Sequence, residues 1–184
     1  FNDSLQFEID TKPKEYASFV KLKYSPSEKF ILEPGIRINL YNVYSDSIFP
    51  DLRFGTKYLL TDDRYINFSV GNYHQFIATF QDDYNPTILD QWIAVDNTVA
   101  PAKSSQIVLG YEEYINDLYK LQVEGYYKDI KNLFTFEESR STTDEAISDT
   151  ALSDIVTPSN GYAYGLELFA QKMSGRLSLS LIHI

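Results

Sequence analysis

Residues Tyr119–Lys128 read YKLQVEGYYK, and the two parities of that stretch differ in chemistry. Tyr119, Leu121, Val123, Gly125 and Tyr127 fall on one side; Lys120, Gln122, Glu124, Tyr126 and Lys128 fall on the other. A period of two belongs to a β-strand, whose successive side chains point to opposite faces. Two environments satisfy such a strand. In a soluble sandwich the apolar side is core and the polar side meets water. In a transmembrane β-barrel the apolar side meets lipid and the polar side lines the lumen. The flanking sequence decides between them.

The same alternation recurs upstream. Leu5–Ile9 carries Leu5, Phe7 and Ile9 on the apolar parity, and Glu15–Tyr24 carries Tyr16, Val20 and Leu22. Phe30–Tyr41 sets Phe30, Leu32, Ile36, Ile38 and Leu40 against Glu33, Arg37 and Asn39, with Pro34 and Gly35 predicting a bulge or bend. Leu52–Leu60 sets Leu52, Phe54, Tyr58 and Leu60 against Arg53 and Lys57. Tyr65–Phe76 sets Ile66, Phe68 and Val70 against Asn67, Ser69 and Gln75. Downstream, Gln106–Ile115 leads into the opening stretch, whose pairing runs on toward Phe134. Gly161–Gln171 then sets Tyr162, Tyr164, Leu166 and Leu168 against Glu167 and Gln171, and Arg176 starts a further strand.

Turn chemistry and loop length now separate the two environments. Ser25–Lys29, Thr61–Arg64, Asn116-Asp117 and Ser174-Gly175 are tight connections. Between them lie longer ones: Asn42–Pro50, Ile77–Ser104 and Glu137–Asn160. Short turns at one end and long loops at the other mark an outer-membrane barrel. The strands also reach the length of roughly 9–11 residues that a tilted bilayer crossing requires. Apolar-parity aromatics gather toward strand ends, as interfacial girdles do. The expected fold is therefore all-β: an antiparallel up-and-down meander of about nine strands, forming a partial, unclosed segment of a large transmembrane β-barrel.

Composition agrees. The 184 residues include 15 Tyr and 12 Phe but a single Trp, and no Cys. Tyrosine suits a bilayer interface, with its ring in apolar surroundings and its hydroxyl in polar ones. A formal net charge of −10 argues against a nucleic-acid surface, which would need a basic stripe. Without cysteine there is no disulfide or thiolate chemistry. No apolar run reaches the roughly 18 residues of a membrane helix. Phe1 opens directly into strand-like sequence, so the chain is expected to begin within a larger protein. Leu179–Ile184 reads LSLIHI, which the mosaic-end adaptor of transposon-based sequencing libraries encodes in one frame. The expected domain is accordingly 1–178, with 179–184 a non-native tail and His183 set aside.

No phosphate loop, HExxH or nucleophile elbow occurs, so no catalytic residue, metal site or cofactor is expected. His74 falls on the apolar parity near the long-loop end and reads as an interfacial side chain. Glu112 and Glu124 face one way on adjacent strands. An acid–base pair is one reading; a charge lattice lining the lumen with Glu33, Arg37, Arg53, Lys57, Lys120, Lys128 and Glu167 is the plainer one. In Ile77–Ser104, Phe80, Tyr84 and Trp92 offer stacking surfaces, and Asp82, Asp83, Asp90 and Asp96 offer cation ligands. A solvated acidic loop accounts for the same letters.

Several stretches resemble the barrel of a TonB-dependent outer-membrane receptor. LEPGIRINLY (Leu32–Tyr41) followed by FPDLRFGTKYLL (Phe49–Leu60) are the most specific. VGNYHQF (Val70–Phe76), Pro101–Tyr111 ending in LGY, EGYYKDIKNL (Glu124–Leu133) and YGLELFAQK (Tyr164–Lys172) follow in the family's order. The plug, the energy-coupling box and an aromatic-terminated final strand are not in these letters. Barrels of this class close with about 22 strands, so the resemblance implies a piece from the middle of one. It further implies a Gram-negative outer-membrane location, a bilayer around the wall, and energy coupling to periplasmic TonB through a plug domain. The solute would be scarce and bulky: a siderophore, cobalamin, an oligosaccharide or a peptide. A passive porin-like barrel, or a soluble all-β carbohydrate-binding module, shares the strand pattern.

Overall fold

The computed structural model describes residues 12–44, 48–80, 91–136, 152–154, 156–175 and 179–183. The strands are β1 (Glu15–Lys21), β2 (Tyr24–Ser27), β3 (Phe30–Tyr41), β4 (Ile48–Thr61), β5 (Arg64–Gln75), β6 (Ile77–Phe80), β7 (Gln91–Ala94), β8 (Ala102–Ile115), β9 (Tyr119–Phe136), β10 (Val156–Lys172) and β11 (Leu179–His183). Among the described residues the one helical element is a short 3₁₀ turn at Leu152–Asp154, and no helix is long and apolar enough to cross a membrane. The main sheet has nine strands in the order β1-β3-β4-β5-β8-β9-β10-β11, with β2 also on β3. Each pairing is antiparallel, and the path from β1 to β11 is open. This is the expected unclosed meander. The predicted strand Leu5–Ile9 lies outside the described residues.

Burial by face is the reverse of a soluble sheet. On β10 the apolar parity is exposed, with Tyr164 72% accessible, whereas Ala163, Gly165 and Glu167 are half-buried. On β8 the apolar Ile107 and Leu109 are exposed while Glu112, on the other face, is 5% accessible. A curved sheet draws inner side chains together and spreads outer ones. The polar face is thus the concave, crowded one, and the apolar face is left without a protein partner. Leu121, Val123, Leu166, Leu168, Ile36 and Ile38 are all exposed on the outer side. Contiguous apolar surface of this extent marks an environment other than water.

Local chemistry explains where strands stop. Asn116 and Asp117 have φ of 51° and 55°, and the Leu118 amide donates to the Ile115 carbonyl at 3.0 Å. Left-handed residues at both positions match the turn's twist to the strands, and Asn and Asp tolerate them. Pro34 acts across the sheet. β3 and β4 stay in register through it, so the predicted bulge is not in β3. Its carbonyl accepts from Leu22 at 2.9 Å, but it has no N–H to return, and β1 and β2 part at Leu22–Lys23. A bulge does occur further on. Asn132 has φ 57°, and the β9–β10 register shifts between Ser159 and Gly161.

Three boundaries differ from the sequence reading. The Ile77–Ser104 connection contains a hairpin, β6 on β7, and β8 already begins at Ala102. β10 begins at Val156, ahead of Gly161, because Val156–Ser159 pair with Leu133–Phe136. β4 begins at Ile48 opposite Leu40, which shortens the Asn42–Pro50 connection. Each extension carries weak or broken alternation, and the neighbouring strand supplies the register. β11, within the stretch expected to be non-native, pairs with β10 from Leu168↔His183 to Lys172↔Leu179. Any alternating apolar run pairs with an open sheet edge, so this register says nothing of the strand's origin.

Candidate functional site

The inner face is the candidate functional surface. Cross-strand partners in an antiparallel ladder share a face, and the register therefore places the predicted lumen set together. Glu33 opposes Gly55, Arg37 opposes Asp51, and Lys57 opposes Asn67. Glu112 opposes both Tyr65 and Gln122; Glu124 opposes Glu167, and Lys128 opposes Gln106. Lys120 alternates with Gln122, and Arg53 with Asp51, on the same side.

Near the tight turns the inner face is organised around Glu112. Its carboxylate accepts from Lys57 Nζ at 3.3 Å, Asn67 Nδ2 at 3.2 Å and Tyr114 Oη at 2.6 Å, with Lys120 Nζ at 3.5 Å. Lys57 Nζ also lies 4.2 Å from the centroid of the Tyr65 ring, which meets Tyr114 edge-on. A carboxylate enclosed this far needs such partners, because an unpaired buried charge is costly. With both oxygens occupied and Glu124 bonded elsewhere, to Gln122 Nε2 at 2.6 Å, Glu112 and Glu124 form no acid–base pair. This is a wall-bracing network.

Toward the long loops the inner face changes character. Asn39 and Asp51 are buried and joined at 2.9 Å, and Arg37 Nε donates to Asn39 Oδ1 at 2.6 Å. His74 joins this group: its Nδ1 lies 2.7 Å from Asp51 Oδ1. That corrects the reading of His74 as outward-facing. The β4–β5 pairing ends at Arg53↔Gly71, and beyond it the Asn72 side chain takes the place of backbone. It accepts from the Leu52 amide at 3.0 Å and donates to the Pro50 carbonyl at 3.1 Å. The inserted side chain parts β5 from β4 while β5 stays in register with β8, His74 opposite Lys103, so His74 reaches Asp51 through the gap between β4 and β5.

Above this level the long connections pack on one another. Tyr41, Phe76, Val95, Val99, Leu152 and Val156 form a buried cluster, with Tyr41 and Phe76 stacked at 4.6 Å. Tyr41 Oη donates to the Val95 carbonyl at 2.7 Å, and Tyr44 Oη to that of Val99. Asp96 ties the parts together. It accepts from the Thr98 amide at 2.8 Å, from the Thr98 hydroxyl, and from the Leu152 amide at 2.8 Å. Thr98 Oγ1 accepts in turn from the Ser153 amide at 3.1 Å. Asp96 and Thr98 thus cap the 3₁₀ turn from another loop. Burial pushes the Asp96 carboxyl up, but bonds from the Thr98 hydroxyl and the Leu152, Thr98 and Val99 amides outweigh it and hold it below its ordinary value. Burial, then the neighbouring Tyr41 and Asp96, pushes Tyr44 up to about 12.

Asp96, read from the sequence as a cation ligand, spends its oxygens on this clamp. Among the described residues no cluster of His, Asp and Glu is placed to hold a metal. Of the predicted recognition residues, Trp92 stands on β7 and is 69% exposed. Phe80 closes β6 opposite Gln91, while Asp82, Asp83, Tyr84 and Asp90 lie outside the described residues. Asp51, Asn72 and Tyr73 are the residues that the sequence reading missed, whereas Asn39 was placed on the polar parity without a partner. Asp51 had a signal, since it is a polar residue on the same parity as Arg53 and Lys57.

Among the described residues the inner face includes two shallow recesses. One, of about 310 Å³, includes Lys120, Glu124, Glu167 and Phe169 in its lining. The other, of about 340 Å³, lies between Phe19, Lys21, Arg37, Arg53 and Tyr73.

Comparison with known proteins gives one family. Residues 2–182 match the profile described as TonB dependent receptor-like, beta-barrel. No curated protein matches significantly by sequence. Among solved structures, the siderophore receptor PirA from Acinetobacter baumannii superposes with TM-score 0.59 at 11% identity, over 87% of this chain and 26% of that one. The alcaligin outer-membrane receptor FauA from Bordetella pertussis gives 0.60 at 14%, over 93% and 30%. Pseudomonas aeruginosa FpvA bound to heterologous pyoverdines gives 0.62 at 12%, over 93% and 23%. At such identities the likeness is one of fold. The chain spans about a quarter of the first of these receptors.

Proposed function

Because this chain belongs to the TonB-dependent receptor family, whose members are outer-membrane β-barrel transporters and not enzymes, we propose that it forms part of the barrel wall of an energy-coupled importer. The parent receptor takes up a scarce, bulky solute. A metal-chelating siderophore heads the candidates, since the neighbouring folds named above are siderophore receptors. Cobalamin, oligosaccharides and peptides follow. The observation that carries the reading is the inverted sheet: a bare apolar face outside, and a crowded, charged face within.

In this reading the outer face meets lipid, and Glu33, Arg37, Arg53, Lys57, Glu112, Lys120, Glu124, Lys128 and Glu167 line the lumen. The tight turns are periplasmic and the long connections extracellular. A plug domain fills the barrel and passes the pull of TonB to the bound solute. The solute first meets the Ile77–Ser104 connection, where Trp92 supplies rigid stacking area at little entropic cost; on sequence alone Phe80, Tyr84, Asp82 and Asp83 are the further candidate contacts. Asp96 is left out of that surface, because it clamps the loops. The full-length receptor, expressed in its host, should fractionate with the outer membrane and import its solute. Import should stop when TonB is deleted or a protonophore is added. Import that persists under both treatments would make the protein a passive pore.

A further inference from the structure

The recess around Arg53 is built differently from the rest of the inner wall. Arg53 stands directly opposite Gly35 on β3 and Gly71 on β5, and Gly55 lies next along its own strand face. Gly35 and Gly55 leave bare backbone beside a single guanidinium, while Gly71 is buried under the Tyr73 ring, whose hydroxyl a Cβ there would meet at 3.0 Å. The Arg53 Cζ lies 4.5 Å above the Tyr73 ring centroid, and Phe19, 73% exposed, stands on the same inner face. Nearby cations are already engaged: Lys21 with Glu33 at 3.0 Å, and Arg37 with Asn39 at 2.6 Å and Glu15 at 3.7 Å. Arg53 has no carboxylate partner among the described residues. Among the described residues it is the one exposed, aromatic-backed guanidinium beside a void, in a chain of net charge −10. It also lies in the long-loop half of β4, on the side from which solute would arrive.

We propose that this recess is a subsite for a carboxylate attached to a flat apolar or aromatic group. The carboxylate takes two parallel N–H bonds from Arg53, whose plane Tyr73 holds. The flat group lies on the glycine floor between Phe19 and Tyr73. This deepens the importer reading, and rests on it only in taking the incoming solute as the source of the acid.

The test uses full-length receptor in detergent, with 4-methylbenzoate as probe and 4-methylbenzyl alcohol as its uncharged control, read by saturation-transfer NMR. Wild type should transfer saturation to the acid and much less to the alcohol. Arg53→Gln should lower the acid signal about tenfold, as loss of a charge-assisted pair does, and Arg53→Lys should fall between. Gly55→Val fills the floor without touching Arg53; a Cβ there meets only Glu33, at 3.8 Å. It should lower the signal as well. Heat-modifiable gel mobility shows that each variant still forms a barrel. No signal from wild type, or equal signals from wild type and Arg53→Gln, overturns the subsite. Protonophore-sensitive import is scored separately in cells. If it fails while Arg53-dependent binding holds, the importer reading falls and the subsite stands.

Discussion

Glu112 and Asp96 are both buried carboxylates, and they sit at opposite ends of the sheet in opposite kinds of company. Glu112 is held by side chains: Asn67 and Lys120 from the adjacent strands, Tyr114 from its own, and Lys57 from β4 one strand further away. Asp96 is held mainly by backbone amides, those of Thr98 and Leu152, with the Thr98 hydroxyl. The first arrangement follows from strand register. Once β4, β5, β8 and β9 align, the partners of Glu112 are already beside it. The second joins residues more than fifty positions apart through two loops. One end of this wall is therefore braced by charge within the ladder, and the other is clipped shut by a cap between connections.

The largest effect should come from breaking the brace. Glu112→Leu leaves two ammonium groups facing each other and unpairs Asn67 and Tyr114. Both lysines keep partial solvent access, which limits the damage to about 1–3 kcal/mol. Urea unfolding of the full receptor in lipid vesicles would measure it, and an unchanged midpoint would mean that plug or water replaces the carboxylate. Glu112→Gln keeps an acceptor and should lose less.

The clamp should respond locally. Asp96→Asn turns one acceptor into a donor pointed at an amide, and should release the 152–154 turn while leaving the barrel's melting temperature nearly unchanged. Hydrogen exchange of the Leu152 and Ser153 amides reads this directly. A global shift in melting would instead tie the clamp to the wall.

Acid gives a gentler version of the same break. Asp96 is held more acidic than an ordinary carboxylate, so its ionised form favours the docked loops. That contribution is complete above the ordinary pKa of about 4 and is lost as pH falls below it. Protection at Leu152 should be flat between pH 8 and about 5, and should drop only in stronger acid. Loss already near pH 6 would assign the release to another group.

The smallest effect sharpens the contrast from the other side. Glu124 lies on the same inner face as Glu112 but bonds only to Gln122 among the described residues. It also stands directly opposite Glu167, a like charge. Glu124→Gln should change stability by less than about 0.5 kcal/mol, in the same urea titration. A loss as large as that of Glu112→Leu would mean that position on the wall, and not the partner set, decides the cost.

The inner and outer faces could be read from the letters because side-chain direction in a strand depends on parity alone. Glu33, Arg37, Lys57, Glu124 and Glu167 fell on one face for that reason, and so did the exposed leucines opposite them. The tight turn at Asn116-Asp117 was equally legible, since few residues accept left-handed backbone. Tertiary structure decided what parity cannot reach. His74 meets Asp51 across a gap that the Asn72 side chain opens between β4 and β5, although it keeps its register on β8. The β6–β7 hairpin, the Asp96 clamp and the glycine floor around Arg53 arise from segments brought together by the fold. Alternation is a property of one strand. Enclosure belongs to its neighbours, and a charge's worth depends on which neighbours the register supplies.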